Sequence, residues 1–342
     1  MKIMNKQITI RDVAKEAGVS RQTISRAFND KGEISPETKQ HVLDVAQRMG
    51  YRPSGLARSL TTNRTYTVGL LVPDISYHFY SLIAKGVETV SSAAGYGLYL
   101  ANTLRDIQRE TQALDTLWDR RVDGVILYAS FLSPEQLAEY VERYQHVVFI
   151  NCQTVPGGKG RIATINVDDI SGARAAVTHL LETGHTRIAF LSGPEFSVSG
   201  RRRLAGYEQA FKAHGLTVDP TLIHECFPDI EGGCGITQQL LADHPDVTAI
   251  LAYNDMTAVG AMRACQERGI KIPEEIAVIG FDDIPMASIL RPSLTTVRID
   301  KQDLGQRAMT TLLAMIEGKG DETATEQVIT PELVIRESAP GK

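Results

Sequence analysis

The chain has 342 residues, of which 43% are hydrophobic and 23% are charged. This composition excludes a disordered or fibrous chain, and the length predicts two or three folded domains. No apolar run approaches the roughly 20 residues of a membrane helix, and the first residues lack the apolar stretch of a signal peptide. We therefore expect a cytoplasmic protein without a membrane partner.

The cysteines indicate no metal site. They are Cys152, Cys226, Cys234 and Cys265, and none lies in a Cys-x-x-Cys spacing or forms a pair with a histidine at ligand spacing. We expect reduced cysteines that pack in the interior, and neither a metal nor another cofactor.

Charge is distributed unevenly along the chain. Residues 1–64 contain 12 Lys and Arg against 6 Asp and Glu, whereas the remainder contains 24 basic and 35 acidic residues. A basic segment joined to an acidic body is a candidate for contact with a polyanion such as DNA. Without further evidence, an ordinary solvated basic surface is the better explanation of this charge distribution.

The first fifty residues predict three short helices. Thr9 can cap the first, Gly18 can turn the chain, and Ser20 can cap the second, which runs to about residue 28. A third helix is predicted between Ser35 and Gly50. Two helices joined by a short turn that contains a glycine are typical of a helix-turn-helix.

The second of these helices carries side chains suited to reading DNA. Arginine pairs with guanine and glutamine with adenine in the major groove, and short polar side chains bind phosphate. The predicted base-reading residues are Arg21, Gln22 and Arg26. The predicted phosphate contacts are Ser20, Thr23, Ser25 and Asn29. The alternative is a small helical bundle with an ordinary polar face.

From residue 65 onward, apolar strands alternate with helical stretches. Strands are predicted at 66–73, 96–101, 124–128, 147–151, 188–192, 222–226, 249–252 and 277–281. Helices are predicted at 79–94, 107–120, 134–144, 170–182, 203–213, 236–242 and 256–268. This alternation predicts an α/β body of doubly wound parallel sheets in two lobes, after an all-α N-terminal segment.

The N-terminal sequence also resembles a known family. Residues 9–29 read TIRDVAKEAGVSRQTISRAFN and are followed by GYRP at 50–53 and ARSL at 57–60. Together they resemble the N-terminal third of a LacI-family bacterial transcription repressor. The rest of the chain is similar to periplasmic sugar-binding proteins.

This resemblance implies a hinge helix at about 54–60 that enters the minor groove of DNA. Leu60 would be an apolar wedge between two base steps, Ala57 would lie against the groove floor, and Arg58 would contact phosphate. The segment is too short to be a stable free helix, so we expect it to fold when two copies meet on DNA. Gly55 inside it is a departure that costs about 0.5–1 kcal/mol relative to alanine. A flexible linker is the alternative.

The resemblance also implies a division into domains. Residues 1–52 would form the DNA-binding headpiece, 53–65 the hinge and linker, and 66–338 the effector-binding and dimerisation domain. Within that domain we expect an N-lobe of about 66–163 plus 299–324. The C-lobe would contain about 164–298 plus 325–338.

Aromatic and polar side chains at strand ends predict an effector site. A sugar needs planar polar groups for its hydroxyls and an aromatic surface for its C–H face. The candidates are Phe79, Tyr80, Asn151, Ser199, Arg203, Asn254 and Asp282. By resemblance, Arg203, Asn254 and Asp282 would bind ligand hydroxyls and Phe79 would be the aromatic contact. The alternatives are a core role for Phe79 and an ion pair within one lobe for Arg203 and Asp282.

Three departures from the family pattern concern the ligand. Tyr77-His78 replaces the more frequent Asn-Pro, and the run at 226–229 shifts the expected cleft aromatic by one position. Ser197 replaces the basic residue of purine-responsive members, which favours a sugar or a sugar acid over a purine.

The competing function classes lack their motifs. No GxGxxG, phosphate loop or GxSxG elbow occurs, so an enzyme is not expected. We predict a homodimeric repressor of a carbohydrate uptake or catabolism operon. It would bind a pseudo-palindromic operator in double-stranded DNA and respond to a small sugar-like effector. The alternatives are a sugar-binding protein without a regulatory role and a regulator that responds to a nucleobase.

Overall fold

The computed structural model describes residues 8–28, 34–51, 64–152, 161–319 and 326–341. The chain forms two compact units, Met1–Tyr66 and Thr67–Lys342. Among the residues described, no helix is both long and apolar enough to cross a membrane.

The first unit contains the three helices that the sequence predicts: α1 (Ile10–Glu16), α2 (Arg21–Phe28) and α3 (Pro36–Met49). At the start of α1, the backbone N–H and the hydroxyl of Thr9 both donate to Asp12 Oδ2, at 2.8 and 2.7 Å. Gly18 and Gly50 have φ values of 66° and 67°, which glycine adopts without strain, and they end α1 and α3. A shared apolar core packs the three helices together: Val13, Ala14, Ala17, Ile24, Ala27, Val42, Val45 and Ala46.

The second unit alternates strands and helices as predicted, although the sequence analysis did not predict the strands Ile162–Val167, Thr295–Arg298, Glu326–Ile329 and Glu332–Val334 or the helix Lys301–Ile316. Its strands are β1 (Thr67–Val72), β2 (Gly97–Asn102), β3 (Gly124–Tyr128), β4 (Val147–Ile150), β5 (Ile162–Val167), β6 (Ile188–Ser192), β7 (Ile223–Glu225), β8 (Ala249–Ala252), β9 (Ala277–Asp282), β10 (Thr295–Arg298), β11 (Glu326–Ile329) and β12 (Glu332–Val334). Its α-helices are α4 (His78–Ala93), α5 (Ile107–Asp119), α6 (Pro134–Arg143), α7 (Asp169–Glu182), α8 (Val198–Ala213), α9 (Ile230–Asp243), α10 (Asp255–Glu267) and α11 (Lys301–Ile316).

The strands form two six-stranded sheets, one in each lobe. The N-lobe sheet has the order β11-β5-β4-β3-β1-β2 and is parallel throughout. The C-lobe sheet has the order β12-β10-β9-β8-β6-β7, in which only β12 is antiparallel. The chain therefore passes between the lobes three times, after β5, after β10 and after β11.

The lobe boundaries expected from the sequence need correction. Strand β5 and strand β11 belong to the N-lobe, because β5 pairs with β4 and β11 pairs with β5. The expected boundaries at residues 163/164 and 324/325 placed four of the six residues of β5 and the whole of β11 in the C-lobe. Alternation of strands and helices along a chain does not reveal which sheet each strand joins.

Helix α9 begins at Ile230, six residues before the sequence prediction. Its first turns are rich in glycine, which disfavours a helix. Close packing against α10 explains one of them: a Cβ on Gly233 would lie 2.3 Å from the carbonyl oxygen of Thr257, and a Cβ on Gly260 of α10 would lie 2.2 Å from that of Ile230. Tertiary contact therefore outweighs the local preference.

Candidate functional site

A cavity of about 100 Å³ lies between the two lobes, at the carboxyl ends of their central strands. All seven residues that the sequence singled out for an effector line it: Phe79, Tyr80, Asn151, Ser199, Arg203, Asn254 and Asp282. Six further lining residues bear on its chemistry: Tyr77, Arg105, Tyr128, Phe131, Phe196 and Tyr253.

Arg203 is the most constrained side chain of the cavity. It is 4% exposed, and its Nε donates to Asp169 Oδ1 at 2.9 Å while Nη1 donates to the carbonyl of Tyr253. Its guanidinium carbon lies 3.6 Å from the ring centroid of Phe281. Burial alone would lower the pKa of Arg203, but the charges of Asp169 and Asp282 raise it. Arg203 is therefore a fixed planar cation.

Asp282 ends β9 with a φ of 115° and is 3% exposed. Its carboxylate accepts a hydrogen bond from the hydroxyl of Tyr77, in the other lobe, and Oδ1 lies 3.9 Å from Nη2 of Arg203. Burial raises the pKa of Asp282 to about 6, while Arg203 and the Tyr77 hydrogen bond oppose the shift. The close partner of Arg203 is thus Asp169, and Asp282 is the more distant of its two carboxylates.

Asn254 and its neighbour hold the start of α10. Asn254 Oδ1 accepts from the backbone N–H of Thr257 at 2.8 Å, and Nδ2 donates to the carbonyl of Pro228 at 3.3 Å. The buried carboxylate of Asp255 accepts from the backbone N–H of Ile284 at 2.8 Å. The Asn254 side chain therefore lines the cavity with its amide plane fixed by a helix cap.

Asn151 connects the lobes on another side of the cavity. Its Nδ2 donates to Ser199 Oγ at 3.3 Å and to the hydroxyl of Tyr128 at 3.4 Å. Its Oδ1 accepts from the backbone N–H of Val167 at 2.7 Å. A φ of 48° directs the chain away from β4 at this point.

Aromatic rings cover the N-lobe side of the cavity. The ring centroids of Phe79 and Tyr80 are 5.4 Å apart, those of Tyr80 and Tyr128 are 5.2 Å apart, and Tyr77 lies 6.0 Å from Phe79. Burial raises the pKa of Tyr80 and of Tyr128, so their hydroxyls remain protonated at neutral pH. Phe79 packs among these rings and also lines the cavity, so the two interpretations of this residue are compatible.

The predicted DNA-contacting residues lie on and beside α2 of the first unit. Arg21 and Gln22 are exposed, and Thr23, Ser25 and Arg26 are half-buried. Ser20 Oγ accepts from the backbone N–H of Thr23 at 3.1 Å and so caps the helix. Asn29 and the hinge residues Ala57, Arg58 and Leu60 lie outside the described residues.

Comparisons with known proteins agree with this two-part architecture. Residues 9–54 match the sequence profile of bacterial regulatory proteins of the lacI family, and residues 177–339 match a periplasmic binding protein-like domain. The chain is 35% identical to the HTH-type transcriptional regulator GalS of Salmonella typhimurium over 97% of this chain and 96% of that protein. It is 36% identical to the ribose operon repressor of Halalkalibacterium halodurans, over 97% of each chain.

The chain belongs to the LacI family. Among solved structures, the lac repressor dimer bound to operator and the anti-inducer ONPF matches 98% of this chain and 100% of its own, with a TM-score of 0.88 and 28% identity. The chain is therefore a LacI-family transcriptional regulator with a helix-turn-helix domain and a periplasmic-binding-protein-like domain, and the resemblance drawn from residues 9–60 is confirmed.

Several residues of this LacI-family cavity escaped the sequence prediction. Tyr128 ends a predicted strand, as Asn151 does, and Tyr253 directly precedes Asn254, so both could have been found by their position. Phe131 and Phe196 lie in loops, where no pattern indicates which way a side chain points. Among the residues described, no group of three or more His, Cys, Asp or Glu side chains could hold a metal.

Proposed function

We propose that this regulator represses a carbohydrate uptake or catabolism operon and that an uncharged sugar in the cavity controls its binding to DNA. The observation that carries the proposal is one cavity in which fixed hydroxyl-binding groups, those of Arg203, Asn254 and Asp282, face a cluster of aromatic rings. Sugars need both kinds of surface. The names of relatives agree, since they include a ribose operon repressor and a regulator in complex with cellobiose.

The pairing of the cavity's charges supports an uncharged effector. Arg203 is balanced by Asp169 at 2.9 Å, and Arg105 lies 3.7 Å from Asp74. An anionic ligand would have to compete with these carboxylates and would also meet Asp282, so a sugar phosphate or a sugar acid fits poorly. A nucleobase could stack on the aromatic rings, and relatives named PurR match this chain at 32–33% identity. A ligand panel must therefore include one.

We propose that two copies of the chain bind a pseudo-palindromic operator, because one recognition helix reads only a half-site. Leu100, Leu104 and Ile107 are half-exposed apolar side chains at the edge strand β2 and just beyond it, and they supply a surface for a second copy. The hinge roles of Ala57, Arg58 and Leu60 are also part of this proposal and rest on the sequence.

The first test selects genomic fragments with purified protein and identifies the enriched motif and the neighbouring genes. A pseudo-palindrome beside sugar uptake or catabolism genes is expected. A pseudo-palindrome beside purine genes would support the proposed binding to an operator but contradict the proposed sugar effector. Without any enriched motif, including in the presence of the ligand panel, the operator proposal would be rejected.

Gln22→Ala tests the contact with bases. We expect the free energy that discriminates between bases to fall by about 1–3 kcal/mol at one base position in each half-site, because the glutamine amide can form two hydrogen bonds with one adenine. The matched control is Gln47→Ala, which truncates another exposed glutamine, on α3. If Gln22→Ala leaves the preference at every base position unchanged, Gln22 does not read the operator.

A further inference from the structure

Two phenylalanine rings from opposite lobes meet at the cavity. Phe131 follows β3 in the N-lobe, and Phe196 precedes α8 in the C-lobe. Both line the cavity, and their ring centroids are 5.4 Å apart at an interplanar angle of 66°. Phe196 is 58% exposed, so this pair, which we call the mouth pair, lies where the cavity opens to solvent.

The N-lobe ring is held by a buried carboxylate. Glu110 on α5 accepts the backbone N–H of Phe131 on Oε2 at 3.0 Å and the hydroxyl of Ser130 on Oε1. The backbone N–H of Ser130 also donates to Cys152 Sγ at 3.4 Å. A buried carboxylate is costly unless it is hydrogen-bonded, and here both oxygens bind the loop that carries Phe131. The hydrogen bonds to Glu110 and Cys152 therefore fix the conformation of the loop that carries Phe131.

The C-lobe ring is held by a tight turn. The backbone N–H of Ser197 donates to the carbonyl of Pro194 at 2.8 Å, and Ser197 Oγ lies 2.9 Å from the hydroxyl of Tyr253. Arg201 Nη1 donates to the carbonyl of Glu195 at 2.9 Å. Phe196 thus projects from a fixed turn although its ring is largely outside the core.

The mouth pair differs in chemistry from the hydroxyl-binding groups. Arg203, Asn254 and Asp282 offer donors and acceptors, whereas the two phenyl rings offer only apolar faces and edges. An aromatic pair that lines a ligand cavity and is partly exposed marks a place where an apolar group is buried on binding. The two sets of residues therefore suit a ligand with two parts, one rich in hydroxyls and one flat and apolar.

We propose that the mouth pair is a second subsite, which binds the flat apolar group that a glycoside carries beyond its first sugar ring. This rests on the proposed function, in which the first ring is an uncharged sugar. The group can come from two sources, an aryl aglycone or the C–H face of a second sugar. In either case the effector is a glycoside, and a free monosaccharide leaves the mouth pair uncovered.

Calorimetric titration of the full chain tests this with matched ligands: glucose, galactose and ribose, the methyl and phenyl β-D-glucosides and β-D-galactosides, and cellobiose and lactose. We expect the phenyl glycoside or the disaccharide to bind about tenfold more tightly than the methyl glycoside of the same sugar, which corresponds to about 1.4 kcal/mol. Preference for the phenyl group indicates an aglycone, and preference for the disaccharide indicates a second sugar.

Phe196→Ala should reduce that ratio to less than twofold and leave the affinity for the methyl glycoside within threefold. Phe131→Leu is the second variant and should reduce the ratio in the same direction. The matched control is Phe227→Ala, which removes a ring that is 55% exposed and lies 5.1 Å from the guanidinium of Arg105 but does not line the cavity. It should preserve the ratio.

A ratio near one in the unaltered protein, or an equal loss of both ligands in Phe196→Ala, overturns the subsite while sugar binding stands. Failure of every sugar and glycoside to bind overturns the proposed sugar effector and the subsite together. Thermal melting of each variant, measured without ligand, separates a binding defect from a folding defect.

Discussion

The two lobes contribute different chemistry to the centre of the cavity, although Arg105 of the N-lobe and Tyr253 and Phe196 of the C-lobe also line it. The N-lobe wall is aromatic, with Phe79, Tyr80 and Tyr128 packed edge to face. The C-lobe wall is charged, with Arg203 bound to Asp169 and close to Asp282. The aromatic wall depends on shape and packing, whereas the charged wall depends on a balance of charges that no longer holds when one member is removed.

This difference predicts where substitutions have the greatest effect. On the N-lobe wall, loss of one hydroxyl leaves the rings packed and the apolar surface intact. On the C-lobe wall, loss of one charge leaves a buried partner without compensation, which is among the costliest changes in a folded protein.

Arg203→Met should have the largest effect. It leaves Asp169 buried without its cation, and we expect the free energy of unfolding to fall by about 3–5 kcal/mol in urea denaturation. The double variant Arg203→Met/Asp169→Asn should recover at least half of the loss, because it also removes the buried carboxylate. The control is Arg187→Met, whose ion pair with Asp219 is about one-third exposed and should cost about 1 kcal/mol or less. If both substitutions lowered the free energy of unfolding equally, burial would not make the ion pair of Arg203 more important for stability than the exposed pair of Arg187.

Asp282→Asn should abolish most of the effector response. The substitution keeps the size of the side chain but removes its charge and one acceptor oxygen, so we expect affinity for the effector to fall about 100-fold, or about 2.7 kcal/mol. Affinity for operator DNA without effector should remain within threefold. Asp283→Asn is the neighbouring control, because that carboxylate binds Arg298 and Arg336 and does not line the cavity. Unchanged effector affinity in Asp282→Asn would remove this residue from the site.

Effector affinity should also depend on pH. Burial raises the pKa of Asp282 to about 6, so the carboxylate takes up a proton as the pH falls below that value. A protonated carboxyl is a poorer acceptor for ligand hydroxyls, and if the ionised form alone binds, affinity falls about tenfold between pH 7.5 and pH 5, with about fivefold of that loss below pH 6. Titration of the effector from pH 7.5 to pH 5 measures this. Asp282→Asn should bind weakly at every pH without this slope.

The sequence predicted the polar groups of the cavity better than its shape. Asp282 ends β9, and Asn151 and Asn254 lie one and two residues after β4 and β8. Parallel strands bring their carboxyl ends to one edge, so the convergence of these residues follows from topology. Phe131 and Phe196 were not predicted, because loop conformation depends on Glu110 and on the turn at Pro194, which no periodicity encodes.

Helix and strand prediction failed where distant segments decide the outcome. The sequence predicted the alternation of helices and strands but neither β5 nor β11 as a strand. The expected lobe boundaries placed most of β5 and all of β11 in the other lobe, because the sequence of a strand does not reveal its pairing partners. The first turn of α9 was not predicted, and the close approach of α10 explains why Gly233 is present there. The local sequence predicts most helices and strands, whereas tertiary contacts determine which of them pack together.

Tyr77→Phe should have the smallest effect, although it removes a contact between the two walls. The Tyr77 hydroxyl donates to Asp282 and lowers its pKa, so its removal leaves the rings packed but takes one donor from the carboxylate. We expect effector affinity to fall about fivefold, or about 1 kcal/mol, and the midpoint of its pH dependence to move upward. The control, Tyr140→Phe, removes a similar contact to Asp115 at 3.5 Å on the surface and should change neither quantity. A loss of affinity with an unmoved midpoint would mean that Tyr77 acts on the ligand directly and not through Asp282, so that the aromatic wall binds hydroxyls as well as apolar faces.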